Sequence, residues 1–225
     1  KATFRFNENN NLSAVFVYNP HRDKLLPVFN EGDHYQPLEE QTNNGAALYY
    51  KGHLNPVDLS AYYFYKNYFK NATAPDAETH VVGARANVAL PGNDFHFISE
   101  FAYQFGKVGN NDRRSWGGYS RLEYNIGRYL YVLDQLSIGG IYLSGDDPST
   151  PTVEGFDPMW NRWTPWGESY VYTLGAETGK ISYWSNIGSI NAGFKATLAP
   201  NVHLNANYMH LMAMQLHPGS AFTSG

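Results

Sequence analysis

Nine ionisable side chains carry the most direct chemical signal in this sequence: Arg5, Lys51, Asp58, Lys66, Arg85, Glu100, Arg121, Glu123 and Lys195. Each occupies a polar position in a stretch where polar and apolar residues alternate. Cations and carboxylates gathered along one wall of a pore set a transverse field, and with it an ion preference. The alternative is that they pair with one another in a packed lumen. Lys66 and Glu100 fall nearer strand ends, where a solvated rim charge is an equal alternative. A second group is aromatic: Trp160, Trp163, Trp166 and Trp184 gather in one long connection. Their faces suit the apolar face of a pyranose ring. They serve as well to fold the segment inward over a pore, or to pack it on itself.

Other chemistries lack their residues. The absence of Cys excludes disulfide scaffolds and zinc–thiolate or iron–sulfur sites. The eight His are scattered, with no H-x-x-x-H or H-E-x-x-H spacing, so no metal site is expected. Asp33, Asp112, Asp146, Asp147 and Asp157 lie in predicted loops beside Gly and Pro, a setting open to calcium. No EF-hand spacing accompanies them, and loop caps and Asx turns account for them. Gly175 to Lys180 fails the phosphate-loop template: its glycines are one residue too close and no Ser or Thr follows the Lys. No G-x-S-x-G elbow exists to pair with His203 or His210, so neither an enzyme nor a cofactor is expected. Asn71-Ala72-Thr73 is a sequon by pattern only. With 16 basic against 20 acidic residues the net charge is −4, which gives no footprint for nucleic acid.

Strands with period-2 alternation must position these groups. From Val57 to Asn67, Val57, Leu59, Ala61, Tyr63 and Tyr65 share one face, against Asp58, Ser60 and Lys66. Val82, Ala84, Ala86, Val88 and Leu90 oppose Arg85 and Asn87, and Phe97, Phe101, Tyr103 and Phe105 oppose His96, Glu100 and Gln104. The pattern recurs at Leu122 to Ile126, Ile190 to Leu198 and Val202 to Tyr208. It is weaker at Thr3 to Asn7, Leu12 to Tyr18, Ala46 to Leu54 and Leu136 to Leu143. Short links rich in Asn, Pro and Gly (9–11, 55–56, 91–94, 199–201) rotate with long ones (19–45, 68–77, 107–114, 145–187, and the tail from 213). Gly127 to Gln135 is an extended turn or a frayed strand.

Composition narrows what such strands build. Charged residues are 16% of the 225, below the roughly 25% of a soluble domain, and aromatics also reach 16%. Mean hydropathy is negative, and no apolar run approaches the roughly 18–20 residues of a membrane helix. An all-β fold is expected: an antiparallel transmembrane β-barrel of about ten visible strands, with tight turns at one end and long loops at the other. Leu59, Ala61, Tyr63, Val82, Ala84, Val88, Ile190 and Leu204 would face lipid. The chain begins at Lys1 without Met and is read as a mature product or a fragment, one barrel region over 1–225 incomplete at both ends. The loop 145–187 would be extracellular or folded into the pore.

Ser144-Gly145-Asp146-Asp147-Pro148, Glu154-Gly155-Phe156-Asp157-Pro158, Arg162-Trp163, Pro165-Trp166 and Tyr183-Trp184-Ser185-Asn186 resemble the alginate-export family of outer-membrane porins. Tyr18-Asn19-Pro20, Asp23-Lys24-Leu25-Leu26-Pro27 and Gly45-Ala46-Ala47-Leu48-Tyr49-Tyr50 resemble an earlier part of the same pattern. The resemblance implies a monomeric barrel of more than ten strands in the bacterial outer membrane, passing an anionic polysaccharide. The expected function is a porin or channel for a carbohydrate or other anionic solute, its partners being outer-membrane lipid and that solute. The rival assignments are a structural barrel anchoring a larger complex and a soluble carbohydrate-binding β-sandwich.

Overall fold

Only a pleated chain can hold the polar and apolar positions of these segments on opposite sides, and ten strands do so in the computed structural model, which describes residues 1–21, 41–90, 92, 94–127, 132–160 and 185–215. They are β1 (Ala2–Asn7), β2 (Asn10–Asn19), β3 (Asn43–Leu54), β4 (Val57–Tyr68), β5 (Ala77–Ala89), β6 (Phe95–Val108), β7 (Asn111–Asn125), β8 (Leu133–Leu143), β9 (Ile187–Ala199) and β10 (Val202–Met212). Together they form one antiparallel sheet in sequence order, β1 through β10. Substantial strand–strand contacts join sequence neighbours only. A two-sheet sandwich would instead press one face of this sheet against another and bury the apolar side.

The apolar side is exposed. Leu54, Val57, Val88, Phe97, Leu122, Ile138, Ala192 and Tyr208 form one continuous cross-strand row from β3 to β10. Ile138 and Ile190 are each 58% exposed and Tyr208 67%. A sheet of this extent is stable with that face outward only when lipid covers it. Toward the long-loop end the face closes on aromatic rings: Tyr63 and His80 hydrogen-bond at 2.7 Å, His80 stacks on Phe105, and Trp116 stacks on Tyr142. Glu78, Lys107 and Asp112 lie beyond these rings, exposed to water. Amphipathic rings backed by charge mark a membrane interface.

The register supplies the tilt. Arg5, Asn11, Lys51, Ser60, Arg85, Glu100, Tyr119, Ile141, Ser189 and Leu211 form one register row across all ten strands. Beyond that row toward the tight turns, the ladders run to Asn7, Leu54, Ala89, Asn125 and Ala199, which is two, three, four, six and ten residues further. With the turns at one level, the row climbs about one residue per strand. A rise of about 3.3 Å per residue against a strand spacing of about 4.8 Å gives a tilt of about 35°, as barrel closure demands.

One sequence expectation is corrected by the strand boundaries. The link 107–114 is not long: β6 and β7 run on to Val108 and Asn111 and are joined by Gly109 and Asn110. The hairpin stands above the apolar band, with polar residues on both faces, so alternation fades there. Of the stretch 127–135, Leu133 to Gln135 open β8 with a register shift between Leu133 and Gln135, and residues 128–131 lie outside the described residues.

Candidate functional site

Burial is concentrated on the polar side, toward the long-loop end of β3–β7. Lys66, Asn43, Thr79, Gln104 and Ser115 are almost fully enclosed there, beside Val81 and Ala102. What encloses them is the connection that leaves β8. Asp146 accepts the Glu154 N–H at 2.7 Å, and Ser144 Oγ donates to the Glu154 carbonyl at 2.6 Å, which folds the segment back. Val153 then pairs with the upper edge of β7: its N–H donates to Asp112 O at 2.8 Å, and Arg114 N–H donates to Val153 O at 3.0 Å. That edge is free because β8 reaches β7 only as far as Gly117.

From there the chain lies on the polar wall. Gln104 treats Asp157 as a neighbouring strand would: Nε2 donates to Asp157 O at 2.6 Å, and Oε1 accepts Asp157 N–H at 2.8 Å and Ser115 Oγ–H at 2.8 Å. Tyr68 donates to the Asp157 carboxylate at 3.0 Å, and Arg113 Nη1 stands 3.7 Å from it. Lys66, only 2% exposed, donates to Met159 O at 2.7 Å and lies 4.3 Å from the Tyr68 ring and 5.2 Å from that of Trp160. An ammonium is enclosed this deeply only when carbonyls and ring faces replace its water. Trp160 donates to Asn43 Oδ1 at 3.2 Å. Its ring takes the room a Cβ on Gly45 would need, 2.6 Å away, and Phe156 does the same at Gly117, 2.9 Å away. Two glycines on the polar face are thus seats for two loop aromatics.

Below this zone the polar wall of β3–β7 is partly exposed. Tyr62 donates to Glu100 Oε1 at 2.7 Å, and Tyr119 lies against Glu100 and Arg85. Nearer the tight turns Arg121 Nε is 2.9 Å from Glu123, while His96 lies between Glu123 and Asn87. Asp58 contacts His53 at 2.6 Å. Among the described residues, Arg5, Lys51, Arg85 and Lys195 have no ion-pair partner.

All nine charged positions singled out in the sequence therefore fall on one face, opposite the apolar one. Lys66 is not a solvated rim charge, since the loop buries it, and Glu100 lies inside the wall, bonded to Tyr62. Of the four loop tryptophans Trp160 docks on the wall, whereas Trp163, Trp166 and Trp184 lie outside the described residues, as do Asp33 and Gly175 to Lys180. Asp146, Asp147 and Asp157 act as loop caps, and the described residues hold no cluster of three potential metal ligands. Asn43, Tyr68, Arg113 and Ser115 carry no functional expectation from the sequence, and Gln104 only that of a polar position. Their only signal was polar parity near strand ends, coupled to glycines facing an aromatic loop.

Residues 22–212 match the family described as alginate export, which covers well over half of the chain. The chain belongs to the alginate-export family. This is a family of outer-membrane β-barrels that transport, and an antiparallel ten-stranded sheet with one apolar and one polar face fits such a wall. The match leaves out β1 and β2, while the loop that docks at Asp157 lies inside it. No curated protein matches the chain.

Proposed function

We propose that this alginate-export protein passes an anionic polysaccharide of the uronate type, with the docked segment 144–160 as the constriction of its channel. The observation that carries this is the division of the polar wall into two zones. At the long-loop end a folded segment covers it, and below lies a partly exposed row where Arg5, Lys51 and Arg85 face a single carboxylate, Glu100. A surplus of unpaired cations attracts a polyanion over a distance of about a Debye length and discourages cations from entering. The nine charged residues then line the pore, Lys66 from beneath the constriction.

The test is planar-bilayer conductance of the full-length protein with and without uronic-acid oligomers. The expected result is a measurable current that the oligomers block. A current indifferent to them removes uronate polymers as the solute. No current at all favours the structural reading, a barrel plugged by the loop and serving as an anchor.

A further inference from the structure

Between the covered zone and the row of cations, the wall of β3 and β4 carries three aromatic rings that neither the loop nor the ion pairs use. Tyr49 and Tyr62 are direct cross-strand partners with parallel rings, centroids 5.7 Å apart. Tyr62 stacks on Phe64, two residues further along β4, at 4.7 Å. All three stand on the polar face, partly exposed. The arrangement is built rather than accidental: the Tyr62 ring fills the space a Cβ at Gly83 would need, and its hydroxyl is fixed by Glu100. Lys51 lies 5.6 Å from the Tyr49 ring at the lower end, and Lys66 follows Phe64 at the upper end.

Aromatic rings on a water-filled wall forgo the burial that rewards them elsewhere in the sheet, so their place there calls for an occupant. A pyranose has an apolar face of C–H groups that suits a ring face and a polar rim that stays hydrated. A carboxylate on that pyranose meets Lys51 at one end, and the same row supplies Arg5 and Arg85. We propose that Tyr49, Tyr62 and Phe64, flanked by Lys51, form a stacking track on which the sugar rings of an acidic polysaccharide are bound in transit. The track rests on the transport reading above and names the part of the solute it reads: the ring by stacking, the acid by Lys51.

The test separates ring from charge. Bilayer block of the full-length protein is measured with uronic-acid oligomers, with neutral pyranose oligomers of equal length, and with polyglutamate, which has carboxylates but no rings. Tyr49→Leu and Phe64→Leu should weaken block by both sugars about tenfold and leave block by polyglutamate unchanged, with heat-modifiable gel mobility reporting that each variant is folded. Tyr49→Trp should restore sugar block. Lys51→Gln should weaken the two acidic blockers and spare the neutral sugar. The track is overturned if the Leu variants leave sugar block unchanged, or weaken polyglutamate as much as sugar. If the wild-type protein conducts yet uronic-acid oligomers do not block it, the transport reading itself falls and takes the track with it.

Discussion

Asp157 is the residue on which the docked loop turns. Its backbone pairs with the Gln104 amide, and its carboxylate takes the Tyr68 hydroxyl and faces Arg113. Hydrogen bonds to a charged group contribute about 1.5–3 kcal/mol each, so Asp157→Ala should cost the docked state on the order of 3 kcal/mol while the strands stay intact. The expected outcome is a larger single-channel conductance together with faster protease cleavage within 144–160. Unchanged conductance and cleavage would show that the loop is held elsewhere. Gly117→Ala should act in the same direction from the opposite partner, because a Cβ there meets the side chains of Leu143 and Phe156. None of this was legible in the sequence. Asp157 and Gln104 are 53 positions apart, and Lys66 and Met159 are 93 apart. Asp157 drew notice as one of several loop aspartates that could hold calcium and as part of the stretch Glu154 to Pro158 that resembles the family, and neither pointed to Gln104.

Strands were far more legible, because alternation is a local property that any segment displays whatever its neighbours do. All ten strands coincide with the alternating segments, including the weak ones that became β1, β2, β3 and β8. The failure came where β6 and β7 rise past the lipid band. There neither face needs to be apolar, and Gly109, Asn110, Asn111 and Asp112 read as loop. At the scale of a strand, the apolar face makes a quantitative demand. Ala84 lies midway along β5 between His80 at the aromatic rim and Val88 near the tight turns. Ala84→Arg should therefore destabilise the folded barrel by about 2–4 kcal/mol in a reversible unfolding titration in lipid vesicles. Ser60→Arg, on the opposite face of β4, should change it little. Equal effects would mean that the two faces do not meet different solvents. The loop makes a separate demand: deleting Pro151 to Gly179 should leave the barrel folded, by its heat-modifiable gel mobility, and raise conductance. A deletion that leaves conductance unchanged would make the loop a passive surface segment.

For the molecule as a whole, composition foretold the class and register supplies the geometry. Low charge and abundant aromatics fit a wall with one face in lipid, and the climb of about one residue per strand turns that wall into tilted staves. A sandwich with the same alternation would bury its apolar side, whereas this sheet leaves Phe16, Ile138, Ile190 and Tyr208 outward across its whole width. The central claim is that one parity of every strand meets lipid and the other meets the water of a channel. Single cysteines placed at Leu59 and Ala61, and separately at Asp58 and Ser60, test it most directly, because the native chain has no Cys to interfere. In outer-membrane vesicles a lipid-phase thiol reagent should modify positions 59 and 61, and a water-soluble reagent positions 58 and 60. Identical labelling of the two pairs by both reagents would contradict the account.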